Sequence, residues 1–369
     1  MDFALTRRHM ITASAIAAAG LSFPSVALAQ GREKRLVFVI QRGAADGLAL
    51  LQPQGDPALR SLRAQLVNDD AAMLDGFFAL HPAMTQTATM FSHGEARGFH
   101  AVATGYRERS HFDGQNILET GAARPYGKRT GWLGRLLPLV SGSPGPMALL
   151  PTVPLALRGS VPVATYQTSR LPNPSDDLLM QLSTLYEEDA MLAPLWEEAL
   201  RTRMLSDDIG GSNGRNGANI GSLAARLMMA PQGPRVMMIE TGGWDTHQSQ
   251  PNRLRNQLGG LDSLLGAMRE GLAGEWRNTL VIVATEFGRT ARVNGTLGTD
   301  HGTASAALML GGSLGRGEPV IADWPGLADA QLYENRDLRP TGDLLRIATG
   351  AVADHFGIDR DRAFAALEG

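Results

Sequence analysis

"KRLVFVIQRGAADG" (34–47) holds five consecutive apolar residues, Leu36–Ile40, between a basic pair and a glycine-rich exit. A strand exposed on one side alternates apolar and polar residues. An unbroken run puts apolar groups on both faces, as in a parallel sheet covered on both sides. "FHAVATGY" (99–106), "RVMMIET" (235–241), "TLVIVATE" (279–286) and "SAALMLGG" (305–312) read as further strands. "PMALLPTVPLAL" (146–157) is a weaker candidate, demoted by its prolines toward an edge or loop. Residues 178–205, 217–230 and 252–272 space their apolar side chains as helices do. Strands alternating with helices predict an α/β domain with a mostly parallel central sheet. "DDIGGSNGRNGAN" (207–219) reads as a polar, glycine-rich mobile loop.

The 369 residues are 43% hydrophobic and 19% charged, enough to bury a sizeable core. A net charge of −3 gives no basic face for nucleic acid, so no nucleic-acid partner is expected. There is no cysteine, which excludes disulfides, thiolate metal sites and cysteine nucleophiles. "TRRHMITASAIAAAGLSFPSVALAQ" (6–30) pairs Arg7 and Arg8 with a mildly apolar run and a small-residue end. That layout predicts an export signal of the twin-arginine type over 1–30, and a mature domain over 31–369. The apolar run is interrupted by Gly20 and Pro24 and is short of the ~20 residues that span a bilayer. The expected location is therefore the periplasm or beyond, reached through the twin-arginine export machinery, with no membrane span after cleavage.

In open α/β sheets, sites form where loops leave the carboxyl ends of strands. The first strand exits into Asp46, and the second into "RERSHFDG", with Ser110 and His111. "GGWDTHQ" brings Asp245 and His247, and "TLVIVATE" ends on Glu286. "GTLGTDHGTASAALMLGG" (295–312) sets Asp300 and His301 between glycines. Asp46, Asp245, His247, Glu286, Asp300 and His301 together form an oxygen and nitrogen ligand set. Such a set suits a divalent ion such as zinc, manganese, magnesium, calcium or iron. Ser110 opens a short helical pattern. It is either that helix's cap or a nucleophile at the positive end of the helix dipole. Arg107, Arg109, His111 and Arg289 are candidates for binding an anionic substrate. His81, His93 and His355 read as packing or surface residues, and His100 falls inside a strand pattern.

"LVFVIQRGAADGL", "RERSHFDGQNILETG", "IETGGWDTHQSQ" and "ATEFGRT…NGTLGTDHGTASAALMLGG" resemble domain-of-unknown-function family 1501, an exported bacterial family. The resemblance covers nearly the whole mature chain. It implies membership of the alkaline phosphatase and sulfatase superfamily, hence a three-layer αβα sandwich with a paired metal site and a nucleophile after the second strand. It implies Asp46 as first-strand ligand and Ser110 as nucleophile, with Asp245 and His247 resembling the superfamily's Asp…His pair. Phe287 stands where a histidine is usual after Glu286. Asp300-His301 then matches either the late histidine ligand or the strand-end pair itself. The function implied is a metal-dependent hydrolase of phosphate or sulfate esters acting on a small-molecule or glycan ester. The rival reading is a non-catalytic envelope or glycan binder on the same fold.

Overall fold

The computed structural model describes residues 34–140, 145–167, 176–186, 189, 192–206 and 217–369. The predicted signal (1–30) and residues 207–216 of the predicted glycine-rich loop lie outside the described residues. Residues 217–219 begin a helix rather than continuing that loop.

The strands are β1 (Arg35–Gln41), β2 (Leu51–Gln52), β3 (Ala72–Met73), β4 (Ala79–Leu80), β5 (Ala96–Ala103), β6 (Met147–Ala148), β7 (Ala164–Thr165), β8 (Val236–Thr241), β9 (Thr279–Thr285), β10 (Ser305–Leu310), β11 (Val320–Ile321) and β12 (Gly342–Asp343). Among the described residues, the main sheet runs β11-β5-β10-β9-β1-β8-β6-β7, with β12 also on β5. A small sheet has the order β2-β4-β3. All main-sheet pairings are parallel except those of β10, which runs antiparallel to both β5 and β9. The predicted third strand is only the two-residue β6, bracketed by Pro146 and Pro151, neither of which has a backbone N–H to donate. The amphipathic stretch 178–205 is divided between two helices, Asp176–Tyr186 and Leu192–Ser206.

The principal helices are α1 (Thr85–His93), α2 (His111–Thr120), α3 (Trp132–Leu136), α4 (Gly217–Met229), α5 (Gln250–Leu272), α6 (Leu344–Phe356) and α7 (Arg360–Glu368). The apolar run of β1 explains the layering. Val37 and Val39 pack with α1, α4 and α5, while Leu36, Phe38 and Ile40 pack with α3, α6 and α7. Successive side chains of a strand point to opposite faces, so β1 needs apolar residues at every position. The result is a three-layer αβα sandwich. Among the described residues, no helix is long and apolar enough to cross a membrane.

Register determines where the exits meet. Gln41 at the end of β1 is level with Thr241 of β8 and Thr285 of β9. Their loops therefore leave from one rim. Because β10 is antiparallel, its first residue, Ser305, lies beside Val102 near the end of β5. The rim thus gathers the exits of β5, β9, β1 and β8 and the entrance of β10. Asp300 and His301 precede their strand because that strand is reversed.

Beneath this rim His100 is buried, with its Nε2 donating to the Leu51 carbonyl (2.9 Å) and its Nδ1 accepting from Ala101 N–H (2.7 Å). Burial pushes its pKa from 6.5 down to about 4, against hydrogen bonds that favour the charged form. Between these values the unfolded chain binds a proton that the folded chain refuses. Stability therefore falls as pH falls through this window, at up to about 1.4 kcal/mol per pH unit from this residue. Urea midpoints taken between neutral pH and pH 4.5 should show the fall, and His100→Asn should reduce the slope. An unchanged slope would remove His100 as its source.

Candidate metal centre

Three histidines present the same ring nitrogen to one carboxylate. His247 Nε2 lies 2.9 Å and His301 Nε2 3.2 Å from Asp245 Oδ1, and the two nitrogens are 3.0 Å apart. His111 Nε2 is 3.6 Å from Asp245 Oδ2, is buried, and has no hydrogen-bond partner. One ligand atom from each of His111, Asp245 and His301 falls within 4.8 Å of the other two.

Each ring is fixed from behind. His111 Nδ1 meets Glu286 Oε1 at 2.9 Å, His247 Nδ1 meets Asp300 Oδ1 at 3.1 Å, and His301 Nδ1 meets the Arg109 carbonyl at 3.0 Å. All three partners are acceptors, so each Nδ1 carries the hydrogen, and in the neutral ring each Nε2 offers a lone pair. Two ring nitrogens and a carboxylate oxygen at about 3 Å form an arrangement that a shared cation stabilises. Tetrahedral zinc with bonds of ~2.0–2.1 Å would hold its ligand atoms about 3.3 Å apart. The donor set therefore fits a divalent ion held by His111, Asp245 and His301, with His247 Nε2 beside Asp245 and His301.

The carboxylates are ionised. Partial burial raises the pKa of Asp245, but the hydrogen bond and charge of Arg289 outweigh it and hold the group below its usual range. Arg289 is fully buried and its Nη1 lies 2.6 Å from Asp245 Oδ1. Burial likewise works against Glu286, and the hydrogen bonds from His111, Gln115 and Gly43 N–H overcome it. For Asp300, burial is overcome by hydrogen bonds from His247 and Asn294. The Glu286 bond also raises the pKa of His111 against burial, making Nε2 a stronger donor toward a cation.

The backbone is shaped to allow this convergence. Arg109 adopts φ +62°, and its carbonyl is the acceptor that orients His301. Gly302 and Gly298, on either side of the Asp300-His301 pair, have no room for a side chain. A Cβ on Gly302 would lie 2.4 Å from the Arg289 backbone, and one on Gly298 would lie 2.1 Å from the His247 backbone. These glycines serve close approach of two loops.

The profile of a family described as "Protein of unknown function (DUF1501)" matches residues 33–364. The chain belongs to this family. No curated protein sequence is similar to this DUF1501 member. Among solved structures it is similar to a protein in the alkaline phosphatase superfamily from Vibrio parahaemolyticus, with 13% identity and a TM-score of 0.42 over 96% of this chain and 76% of that one. It is also similar to Ps i-CgsB in complex with k-i-k-neocarrahexaose, with 10% identity and a TM-score of 0.46 over 91% and 77%. A third is the C-terminal periplasmic domain of EcEptC from Escherichia coli in complex with Zn, with 8% identity and a TM-score of 0.40 over 76% and 74%. These likenesses are distant.

In the DUF1501 chain, Asp245, His247 and His301 of the expected ligand set come together. The other three do not. Asp300 Oδ1 meets His247 Nδ1 and so orients that ring. Asp46 is buried, pairs with Arg63 Nη1 and Nη2 at 2.9 and 3.0 Å, and accepts from Gln250 Nε2. Glu286 Oε1 is occupied by His111, Gln115 and Gly43, and its Oε2 accepts from Thr285 at 3.0 Å, so it orients a ring. The expected anion-binding arginines are also committed. Arg107 donates to the Thr104 and Tyr106 carbonyls, Arg109 pairs with Asp337 and Glu334, and Arg289 holds Asp245 and Thr299. His111, expected to touch substrate, instead joins the ligand atoms. The available signal was its spacing from Gln115: residues four apart on a helix share a face, and both reach Glu286.

Glu286→Gln should weaken divalent-ion affinity about 10–100-fold, because a neutral amide oxygen accepts from His111 Nδ1–H more weakly than a carboxylate and makes the ring less basic. Competition with a chromophoric chelator measures this. Affinity equal to wild type would show that the His111–Glu286 pair plays no part in holding the ion.

Proposed function

We propose that the protein is an exported, metal-dependent hydrolase of phosphate or sulfate esters, with Ser110 as nucleophile. The observation that carries this reading is the set of three lone-pair nitrogens facing Asp245 at a solvent-open rim, with Ser110 directly preceding His111. The ion held there would neutralise charge on the ester oxygens.

The protein's own groups support the remaining roles. Ser110 stands at the N-cap position of α2, yet its side chain caps no backbone N–H. The capping reading leaves its hydroxyl unexplained, and the helix dipole favours developing negative charge there. The Ser110 backbone N–H donates to the Tyr106 hydroxyl at 3.2 Å, and that hydroxyl donates to Asp113 Oδ2 at 3.3 Å. As Ser110 Oγ bonds to phosphorus or sulfur, the bond to the ester's leaving oxygen breaks and the hydroxyl proton is released to water at the rim. Water then cleaves the Ser110 ester.

The test is turnover of p-nitrophenyl phosphate and p-nitrophenyl sulfate by the metal-loaded chain. Ser110→Ala should lower kcat by about 10²–10⁴ with metal content unchanged. Wild-type turnover in Ser110→Ala would remove the nucleophile. A fully loaded protein that turns over neither ester would favour the non-catalytic binder.

A further inference from the structure

A cavity of about 540 Å³ opens on the α6 face of the sheet, away from the metal centre. Phe99, Leu280, Met309 and Ile347 supply apolar lining on the sheet and α6. Two cations bracket that lining, Lys34 immediately before β1 and Arg97 near the start of β5. In the strand order β5-β10-β9-β1 they stand three strand spacings apart, about 14 Å between backbones.

The surrounding charges differ in how far they are satisfied. Arg360 is neutralised by Asp354, with Nε 2.7 Å from Oδ1. Arg346 lies 4.3 Å over the Phe364 ring, with Glu368 at 3.5 Å. His355 donates Nε2–H to the Arg35 carbonyl at 2.9 Å and is neutral, its pKa pushed down to about 4 by burial and the Lys34 charge. Among the described residues, neither Lys34 nor Arg97 has a carboxylate partner or a side-chain hydrogen bond. A cavity of this size with mixed polar and apolar lining suits a small organic molecule. Unpaired cations at its two ends suit negative charge there.

We propose that this groove binds an elongated organic anion with an apolar body, and that Lys34 and Arg97 engage its charged ends. The proposal is independent of the hydrolase reading, since none of these residues belongs to the metal centre.

Calorimetric titration of the full chain with decanedioate tests it. Saturable one-site binding is expected, with acetate and 1-decanol each at least about tenfold weaker, since each lacks one half of the match. The double variant Lys34→Met, Arg97→Met keeps the apolar stems and should bind at least about tenfold more weakly at an unchanged Tm. His301→Ala should bind as wild type does. The proposal is overturned if the double variant binds like wild type, or if millimolar decanedioate shows no saturable binding. It is also overturned by equal binding of acetate (an adventitious ion only), by equal binding of decanol (no charge selection), or by loss of binding in His301→Ala, which would place the anion at the metal centre.

Discussion

Asp245→Ala is expected to purify without its divalent ion. The carboxylate is the group on which all three histidine nitrogens converge, and no other side chain in the group replaces it. Outer partners alone are worth 10–100-fold in affinity, so loss of a direct ligand should exceed about 100-fold. The same change leaves the Arg289 guanidinium, fully buried, without its ion-pair partner. Stranding a buried charged donor should cost a further 2–3 kcal/mol or so. Asp245→Asn separates the two effects: its amide oxygen can still accept from Arg289, so metal is lost with a smaller fall in stability. Elemental analysis and thermal unfolding on the same samples measure both. Wild-type metal content in either variant would mean that these groups converge for another reason.

The second large effect lies under the centre. Asp46 and Arg63 are each only 1% exposed and pair through two bonds. Burial raises the pKa of Asp46, but the charge and hydrogen bonds of Arg63 more than compensate and hold it ionised. Arg63→Met should therefore destabilise the fold by about 3–5 kcal/mol, because a buried carboxylate is left uncompensated. Metal content should persist, since both Asp46 oxygens are taken by Arg63, Gln250 and the Ala49 N–H rather than by the ligand group. Asp46→Leu combined with Arg63→Met should cost less than Arg63→Met alone, as removal of both charges leaves none stranded. Denaturant unfolding of the three proteins decides this. A single variant as stable as wild type would show that the pair contributes nothing.

The long strands were legible because burial on both faces leaves an unbroken apolar run, as in Leu36–Ile40 and Leu280–Ala284. Their direction was not. "SAALMLGG" reads the same in a parallel or an antiparallel strand, and only pairing with β5 and β9 shows that β10 is reversed. The pieces β6 and β7 are two residues each, too short for any periodicity to register. In the candidate site, Asp245, His247, Asp300 and His301 stood out through their glycine-rich surroundings. Asp46 looked equivalent because its partner Arg63 lies in an ordinary short helix segment with no signal of its own. Glu286 and His111 exchanged roles for a related reason. Whether a carboxylate faces an ion or the back of an imidazole depends on side-chain direction, which spacing along one chain does not carry.

Reversal of β10 also makes β9 and β10 sequential neighbours, joined without a crossover helix. Residues 286–304 consequently remain on the rim and supply Glu286, Arg289, Asn294, Asp300 and His301 as one contiguous cassette. Half of the centre can thus be lengthened, shortened or exchanged as a single insert while the strand connections elsewhere stay as they are. Chemistry on this scaffold can diversify by editing one hairpin.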